Sequence, residues 1–380
     1  MRINRDFSNS CYNIQKKGFD MVLVSILGDF DSNILPVFYH YSEDINIHIL
    51  LYDKRRQDKL HAQNIQIGLK RFCLEYDYDP LLLVMEFDED TKENIELIFE
   101  RIDKLAYGKT LFINASDGMA TTLAIFQPKV LELNGKILAY DRFDNSCNVL
   151  TKEGMHNESI AGMTINEHLL LKNIDYEMID TDVISERSAT VNELMQASTQ
   201  FLDFRDAKKQ RKPLNAFIEI QNKLASINKE NDDFFISGGI FEEYIYSLVK
   251  GLRFDDVALG TKVCYMPDED SSFENELDIL LIKENHMHII ECKFRRFIND
   301  AEHFIYKYDS VIDMLDADGK TMLLVVGGDD LRYINGKKNV MFNGGVRRRA
   351  KYNNIHIYHE KELNEANFIS AVKRFFELEN

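Results

Sequence analysis

The first 150 residues alternate continuous apolar runs with amphipathic stretches, and this alternation limits the fold more than any other feature of the chain. Phe19–Leu27, Ile45–Tyr52, Leu81–Phe87, Thr110–Ala115, Lys136–Arg142 and Ser146–Leu150 read as strands. Between them, Asn33–Ser42, Arg55–Glu75, Lys92–Ala106 and Met119–Glu132 carry helical periodicity. Apolar strands separated by amphipathic helices imply a parallel sheet covered on both faces.

Residues 1–150 are therefore expected to form a Rossmann-like α/β domain. From about Thr151 the strand signal stops, and residues 151–230 read as a helical connector. Arg205–Lys212 holds five Lys/Arg and one Asp, which is read as a solvated helix face. A second domain is expected over 231–380. It opens with Gly238-Gly239 and a helix, Ile240–Leu252. An acidic loop, a hairpin over Glu276–Phe294, a helix near Ala301–Leu315 and a strand near Met322–Gly327 follow. A chain of 380 residues suits two domains.

The net charge of −17 excludes coating of duplex DNA by bulk electrostatics. Any handling of nucleic acid needs a local basic surface or a metal. Five scattered cysteines without a CxxC pair argue for a reducing cytoplasm and against a zinc site. No apolar run is long enough to span a membrane, and the N-terminus lacks the apolar region of a secretory signal.

The most informative stretch is Asn275–Phe294, NELDILLIKENHMHIIECKF. A turn centred between Glu284 and Asn285 makes Asp278 face Glu291 and Glu276 face Lys293. Glu291 and Lys293, two apart, share a face. Two carboxylates and an amine then converge beside apolar strands. Like charges placed opposite one another need neutralising, and Mg²⁺ or Mn²⁺ does this through oxygen ligands. Such a cation activates water and polarises a phosphoryl oxygen, and the lysine offsets developing charge. Asp278 and Glu291 are thus candidate metal ligands and Lys293 a catalytic cation. On the preceding helix, Phe241, Tyr244, Ile245, Leu248 and Leu252 form an apolar stripe. Glu242 lies on its shoulder and is the candidate third carboxylate, while Glu243 is expected to point away. Downstream, Arg332–Lys351 holds seven Lys/Arg and no acid, with Tyr333, Phe342 and Tyr352 interleaved. That composition suits a single nucleic-acid strand.

In doubly wound sheets, ligands bind beyond the strand ends where the order reverses. The loops after the first and fourth strands are small, polar and glycine-bearing. They offer Gly28, Asp29 and Asn33 from one and Asn114, Ser116, Asp117, Gly118 and Thr121 from the other. GxGxxG and the P-loop are both absent.

The pattern Asp278-x₁₂-Glu291-x-Lys293 resembles the PD-(D/E)xK nuclease signature. With the Rossmann-like first domain, the chain resembles the CARF-domain nucleases, ancillary effectors of type III CRISPR systems. In that family the fourth-strand loop tends to read N-x-T-G-G-T-K. Asn114, Ser116 and Gly118 fit, whereas Met119 and Ala120 depart from it. Gly238-Gly239-Ile240-Phe241-Glu242 is similar to the family's nuclease opening. The resemblance implies an N-terminal CARF domain and a C-terminal restriction-endonuclease-like domain, with Glu242 completing the site. It also implies a cytoplasmic homodimer that binds a cyclic oligoadenylate, typically cyclic tetra-adenylate, and then cleaves single-stranded RNA or DNA. Two alternatives stay open: an unregulated restriction- or repair-type DNA endonuclease, and an inert nucleotide-sensing binding protein.

Overall fold

The computed structural model describes residues 20–28, 33–55, 59–117, 120–265, 272–298, 301–316, 318–334 and 337–378. The first unit runs β1 (Met21–Ile26), α1 (Leu35–Tyr41), β2 (Ile45–Asp53), α2 (Lys59–Glu75), β3 (Leu81–Phe87), α3 (Lys92–Leu105), β4 (Thr110–Asn114), α4 (Ala120–Glu132), β5 (Lys136–Asp141), β6 (Ser146–Thr151) and β7 (Gly154–Ser159). These strands form one sheet in the order β3-β2-β1-β4-β5-β6-β7. The first five are parallel, and the order reverses between β1 and β4, as the alternation implies. One core packs α1 and α2 on one face of the sheet; the other packs α3 and α4 on the opposite face. β6 and β7 are antiparallel additions. The link from β5 to β6 is too short for a crossover, so the chain can only turn back.

Strands do not stop at Thr151. β7 extends the first sheet, and its exposed, polar sequence GMHNES carries no apolar signal. After α5 (Ile165–Leu171), β8 (Ile174–Glu177) pairs with β9 (Asp256–Tyr265) of the second sheet. Four residues are too few for a periodicity to register. Then come the helices α6 (Thr181–Gln196), α7 (Ser198–Lys209) and α8 (Ile218–Ser226). A π-turn over Phe235–Gly239 leads into α9 (Ile240–Val249).

The remaining elements are β10 (Asn275–Lys283), β11 (His286–Phe294), α10 (Ala301–Leu315), β12 (Thr321–Val326), β13 (Leu331–Ile334), β14 (Lys337–Val340), α11 (Gly344–Tyr352), β15 (Ile355–Glu360) and α12 (Glu365–Phe375). The second sheet has the order β15-β12-β11-β10-β9-β8. Strand periodicity splits its side chains between two cores. Ile279, Leu281 and Ile290 face α6, α7, α9 and α12, whereas Leu280, Ile282 and Ile289 face α5 and α10.

The β10–β11 turn joins the two sheets. Glu284 and Asn285 both have positive φ, 53° and 64°, as a two-residue type I′ hairpin requires. Asn285 Nδ2 donates to Asn145 Oδ1 (2.8 Å) and Ala161 O (3.0 Å), and Asn285 Oδ1 accepts from Met163 N (2.7 Å). Tyr140 Oη donates to Asn145 Oδ1 and to Glu284 O. Beside the turn, His286 Nδ1 meets Asp316 and Nε2 meets Arg142 O, and Arg142 also pairs with Asp318.

Candidate active site

The β10–β11 ladder has the register that the turn implies, from Ile279 opposite Ile290 to Lys283 opposite His286. It stops there. Asp278 Oδ2 instead accepts the backbone N–H of Cys292 at 2.7 Å, so a carboxylate stands where the next backbone acceptor would be. Glu276 is exposed and sits opposite Lys262 of β9; the ladder to β11 does not reach it, so the expected Glu276–Lys293 pairing is absent.

Where the strands part, four ionisable side chains meet. Asp278 and Glu291 are 9% and 3% exposed. Lys293 Nζ lies 3.6 Å from Asp278 Oδ2 and forms an ion pair with Glu291 Oε1. Lys293 Nζ also donates to Cys292 O at 3.2 Å and lies over the Phe304 ring. Glu242 reaches the same cleft from α9, where Gly238, Gly239, Cys292 and Arg295 also line the wall. A Cβ at residue 238 would stand 3.1 Å from Glu242 Oε1, so glycine there leaves room for the carboxylate.

The electrostatics follow from burying three acids around one amine. Burial, then the charge of Glu291, holds the Asp278 carboxyl well above the usual carboxylate range. Burial raises Glu242 to about 7, against the pull of Lys293 and with the push of Glu291. Burial alone would lower Lys293, but Asp278 and Glu291 outweigh it and hold the amine protonated. The Cys292 thiol is pushed up by burial and by the surrounding carboxylates, which leaves it unreactive.

Glu243 does not point into solvent. It is buried and holds Arg187 of α6 through both carboxylate oxygens, one bond at 2.8 Å. The helical period gives the stripe of α9 but not the helix that covers its flank. Tyr308 of α10 donates its hydroxyl to Glu291 Oε2, and burial followed by Glu291 raises its own pKa far out of range. Tyr308 falls on the apolar stripe Ile305, Tyr308, Val311, Ile312, Leu315, and that periodicity is the signal that could have found it.

Two cations of the acid-free window have acidic partners. Arg347 pairs with Asp330 at 3.2 Å and Arg349 pairs with Glu302. Phe342 is buried in the core, whereas Tyr352 is exposed. Acids distant in sequence are brought in by the fold.

At the other sheet, β1 and β4 are neighbours, so the two polar loops emerge side by side. A Cβ at Gly28 would run into the Asp117 carbonyl, so the loops touch. Asn114 is completely buried. Its Nδ2 donates to Ser25 Oγ and Ile34 O, and its Oδ1 accepts from Ser116 N and Ser116 Oγ. Asn114 therefore shapes the loop from inside. Ser116 Oγ accepts from Tyr140 N at 2.9 Å. Asn33, Ser116 and Asp117 are half-buried and Thr121 is exposed. Thr122 donates through N and Oγ1 to Glu89, which brings an acid to the start of α4. Asp29 and Gly118 lie outside the described residues.

Among the described residues, one further group has the spacing to hold a metal: His286, Asp316 and Asp318. Its polar atoms are already engaged across the domain junction, and the pKa of His286 is raised because Asp316 outweighs the lowering by burial. Cys73, Cys147, Cys264 and Cys292 are free thiols. No helix among the described residues is long and apolar enough to cross a membrane.

Fold and cleft define a two-domain α/β protein whose second half has the layout of a restriction-endonuclease-like domain. Residues 229–366 match the family described as Card1-like, endonuclease domain. Over nearly its whole length, the chain has the fold of protein VC1899 from Vibrio cholerae, with a TM-score of 0.71 at 16% identity over 94% of this chain and 98% of that one. It is also similar to Can2 from Sulfobacillus thermosulfidooxidans, solved in complex with cyclic tetra-adenylate, with a TM-score of 0.66 at 16% identity over 93% and 99%. No curated protein matches the chain in sequence. A stretch similar to Card1-like endonuclease domains thus follows a Rossmann-like α/β unit, and the two together have the fold of VC1899 and Can2.

Proposed function

We propose that this protein is a cyclic-oligoadenylate-activated, divalent-metal-dependent nuclease acting in type III CRISPR defence. The observation that carries this reading is the buried cluster Glu242, Asp278, Glu291 and Lys293 within a Card1-like endonuclease domain. The donor set fits a hard cation: three carboxyls converge where burial disfavours their charge, and a divalent ion bound by Asp278, Glu291 and Glu242 would relieve that conflict. Bound Mg²⁺ or Mn²⁺ supplies Lewis acidity and an activated water. Lys293, held protonated, offsets the negative charge that develops on a phosphate; it is not a base. Glu242, raised to about 7 by burial in the metal-free protein, would give up its proton on binding the cation. Tyr308 fixes the orientation of Glu291.

The sensor half of the reading draws on the paired loops at the β1–β4 switch point and on the cyclic tetra-adenylate bound to Can2. On this reading the ring lies across the two-fold axis of a homodimer, each subunit presenting Gly28, Asn33, Ser116, Asp117 and Thr121 with Asp29 and Gly118. A hydrogen-bonded route supports communication: Ser116 to Tyr140 N, Tyr140 Oη to Asn145 and Glu284 O, and Asn145 to Asn285 in the turn between the strands that carry Asp278 and Glu291. A ligand that prefers one setting of the loop would bias the hairpin.

The test incubates the protein with labelled RNA and DNA, with and without Mn²⁺, against cyclic tri-, tetra- and hexa-adenylate. Cleavage is expected only with metal and one ring together. Full-rate cleavage by nucleotide-free protein would replace the sensor with an unregulated nuclease. Absence of cleavage under every condition would leave an inert sensing protein.

A further inference from the structure

A cleft of about 690 Å³ adjoins the carboxylate cluster, and Ser237 and Arg295 line both. Its walls are the C-terminal end of α7 and the exit of β11. Five cations line it, Arg205, Lys208, Lys209, Arg211 and Arg295, against two acids, Asp206 and Asp233. The acids are taken: Arg296 and Arg205 hold Asp206, and Lys208 holds Asp233 at 3.0 Å. Among the described residues no carboxylate pairs with Lys209, Arg211 or Arg295, and all three are exposed. At the mouth of the neighbouring carboxylate cleft stands Phe234, 65% exposed.

Arg211 is an independent sign. α7 ends with Lys212 N donating to Ala207 O at 2.9 Å and Arg211 in the left-handed region, φ 55°. Glycine or asparagine is favoured at such a helix terminus. An arginine there is held at a conformational cost, and this one sits on the rim of the cleft.

We propose that this cleft is the track for the substrate's sugar–phosphate backbone. Lys209, Arg211 and Arg295 contact successive phosphates, and Phe234 stacks on a base as the strand enters the carboxylate site. The inference rests on the nuclease reading above and adds where the polyanion lies. The physical need is plain: a strand approaching three buried acids in a chain of charge −17 requires local cations to bring it there.

Binding is measured with full-length Asp278→Asn protein, which retains the track, in Mn²⁺ and cyclic tetra-adenylate. The probes are fluorescein-labelled oligo-U and oligo-dT over a range of salt. Combining Lys209→Ala, Arg211→Gly and Arg295→Ala should weaken binding at least ~10-fold at low salt and reduce the log–log salt slope by about 2, at ~0.7 per phosphate on a single strand. Arg211→Gly alone should weaken binding without lowering Tm, because glycine suits that backbone. Phe234→Ala should weaken binding roughly tenfold and leave the salt slope unchanged. Neutralising Arg347, Arg348 and Arg349 should change neither quantity. If wild type cuts either nucleic acid but the triple variant binds with unchanged affinity and slope, the track is wrong and the nuclease stands. If the Asp278→Asn protein binds neither probe and wild type cuts neither, both readings fall.

Discussion

Asn114 in the first domain and Asp278 in the second are buried polar side chains on central strands, and their surroundings treat them in opposite ways. Asn114 is uncharged, and both ends of its amide are hydrogen-bonded within the loop it shapes. Asp278 has one bond to Cys292 N but shares its space with Glu291, and burial plus that neighbour hold its pKa up. The first site is satisfied and therefore structural. The second is in electrostatic conflict, a perturbation of the kind that clusters at functional sites. Removing the polar group should therefore have opposite consequences at the two positions.

The largest effect is on catalysis. Asp278→Asn or Glu291→Ala should lower cleavage by ~10²–10³-fold, measured in single-turnover assays, since a charge stabiliser is lost from the transition state. Asp278→Asn should leave the Tm of the metal-free protein unchanged or higher, because one repulsive charge goes while an acceptor for Cys292 N remains. Asn114→Ala should instead cost about 2–3 kcal/mol in urea unfolding, through stranded partners at Ser25, Ser116 and Ile34. A lower Tm for Asp278→Asn, or no change for Asn114→Ala, would erase the contrast.

Tyr308→Phe removes the hydroxyl that holds Glu291. Metal affinity, read by the Mn²⁺ dependence of Tm, should fall roughly tenfold, as for other groups that orient a ligand. Asn285→Ala should leave metal binding intact but cut the stimulation by cyclic tetra-adenylate several-fold, because the hairpin loses its bonds to Asn145 and to the segment after β7 at Ala161 and Met163. Unaltered stimulation would remove the turn from the communication route.

The smallest effect is a pH dependence. Glu242 binds its proton more tightly in the folded protein, about 7 against an ordinary 4.5. Its contribution to stability is complete below about pH 4.5 and is lost as pH rises through about 7. The Tm of metal-free protein should decline over that window, and stabilisation by Mn²⁺ should grow over the same window as the proton leaves. Glu242→Gln should flatten both curves.

How much of this the sequence makes legible depends on the range of the interaction. The hairpin register is local: the alternation in NELDILLIK and HMHIIECKF and the turn at Glu284–Asn285 set it. The inward position of Glu242 follows from the period of α9. Asn114, drawn from a loop pattern as a ligand contact, is instead enclosed by Ser25 and Ile34, neither adjacent in sequence. Glu243 looked solvent-facing because its cover, Arg187, lies on another helix. The charge windows are read from composition alone, which does not show what the fold brings near them. The acid-free run finds Asp330 and Glu302 in space, whereas Arg205–Lys212, apparently a solvated face, borders the carboxylate cleft.

β8 changes what can be separated from what. The Card1-like match begins at residue 229, yet the sheet that carries Asp278 and Glu291 takes its outer strand from residues 174–177. A protein excised at residue 229 would bare the edge of β9 and uncover the face of α9 that now lies under α6 and α7. Unpaired strand edges and large apolar patches favour self-association. The smallest piece expected to keep the second sheet whole therefore begins before β8, at α5, and the segment between the two sheets is part of the second unit, not a tether.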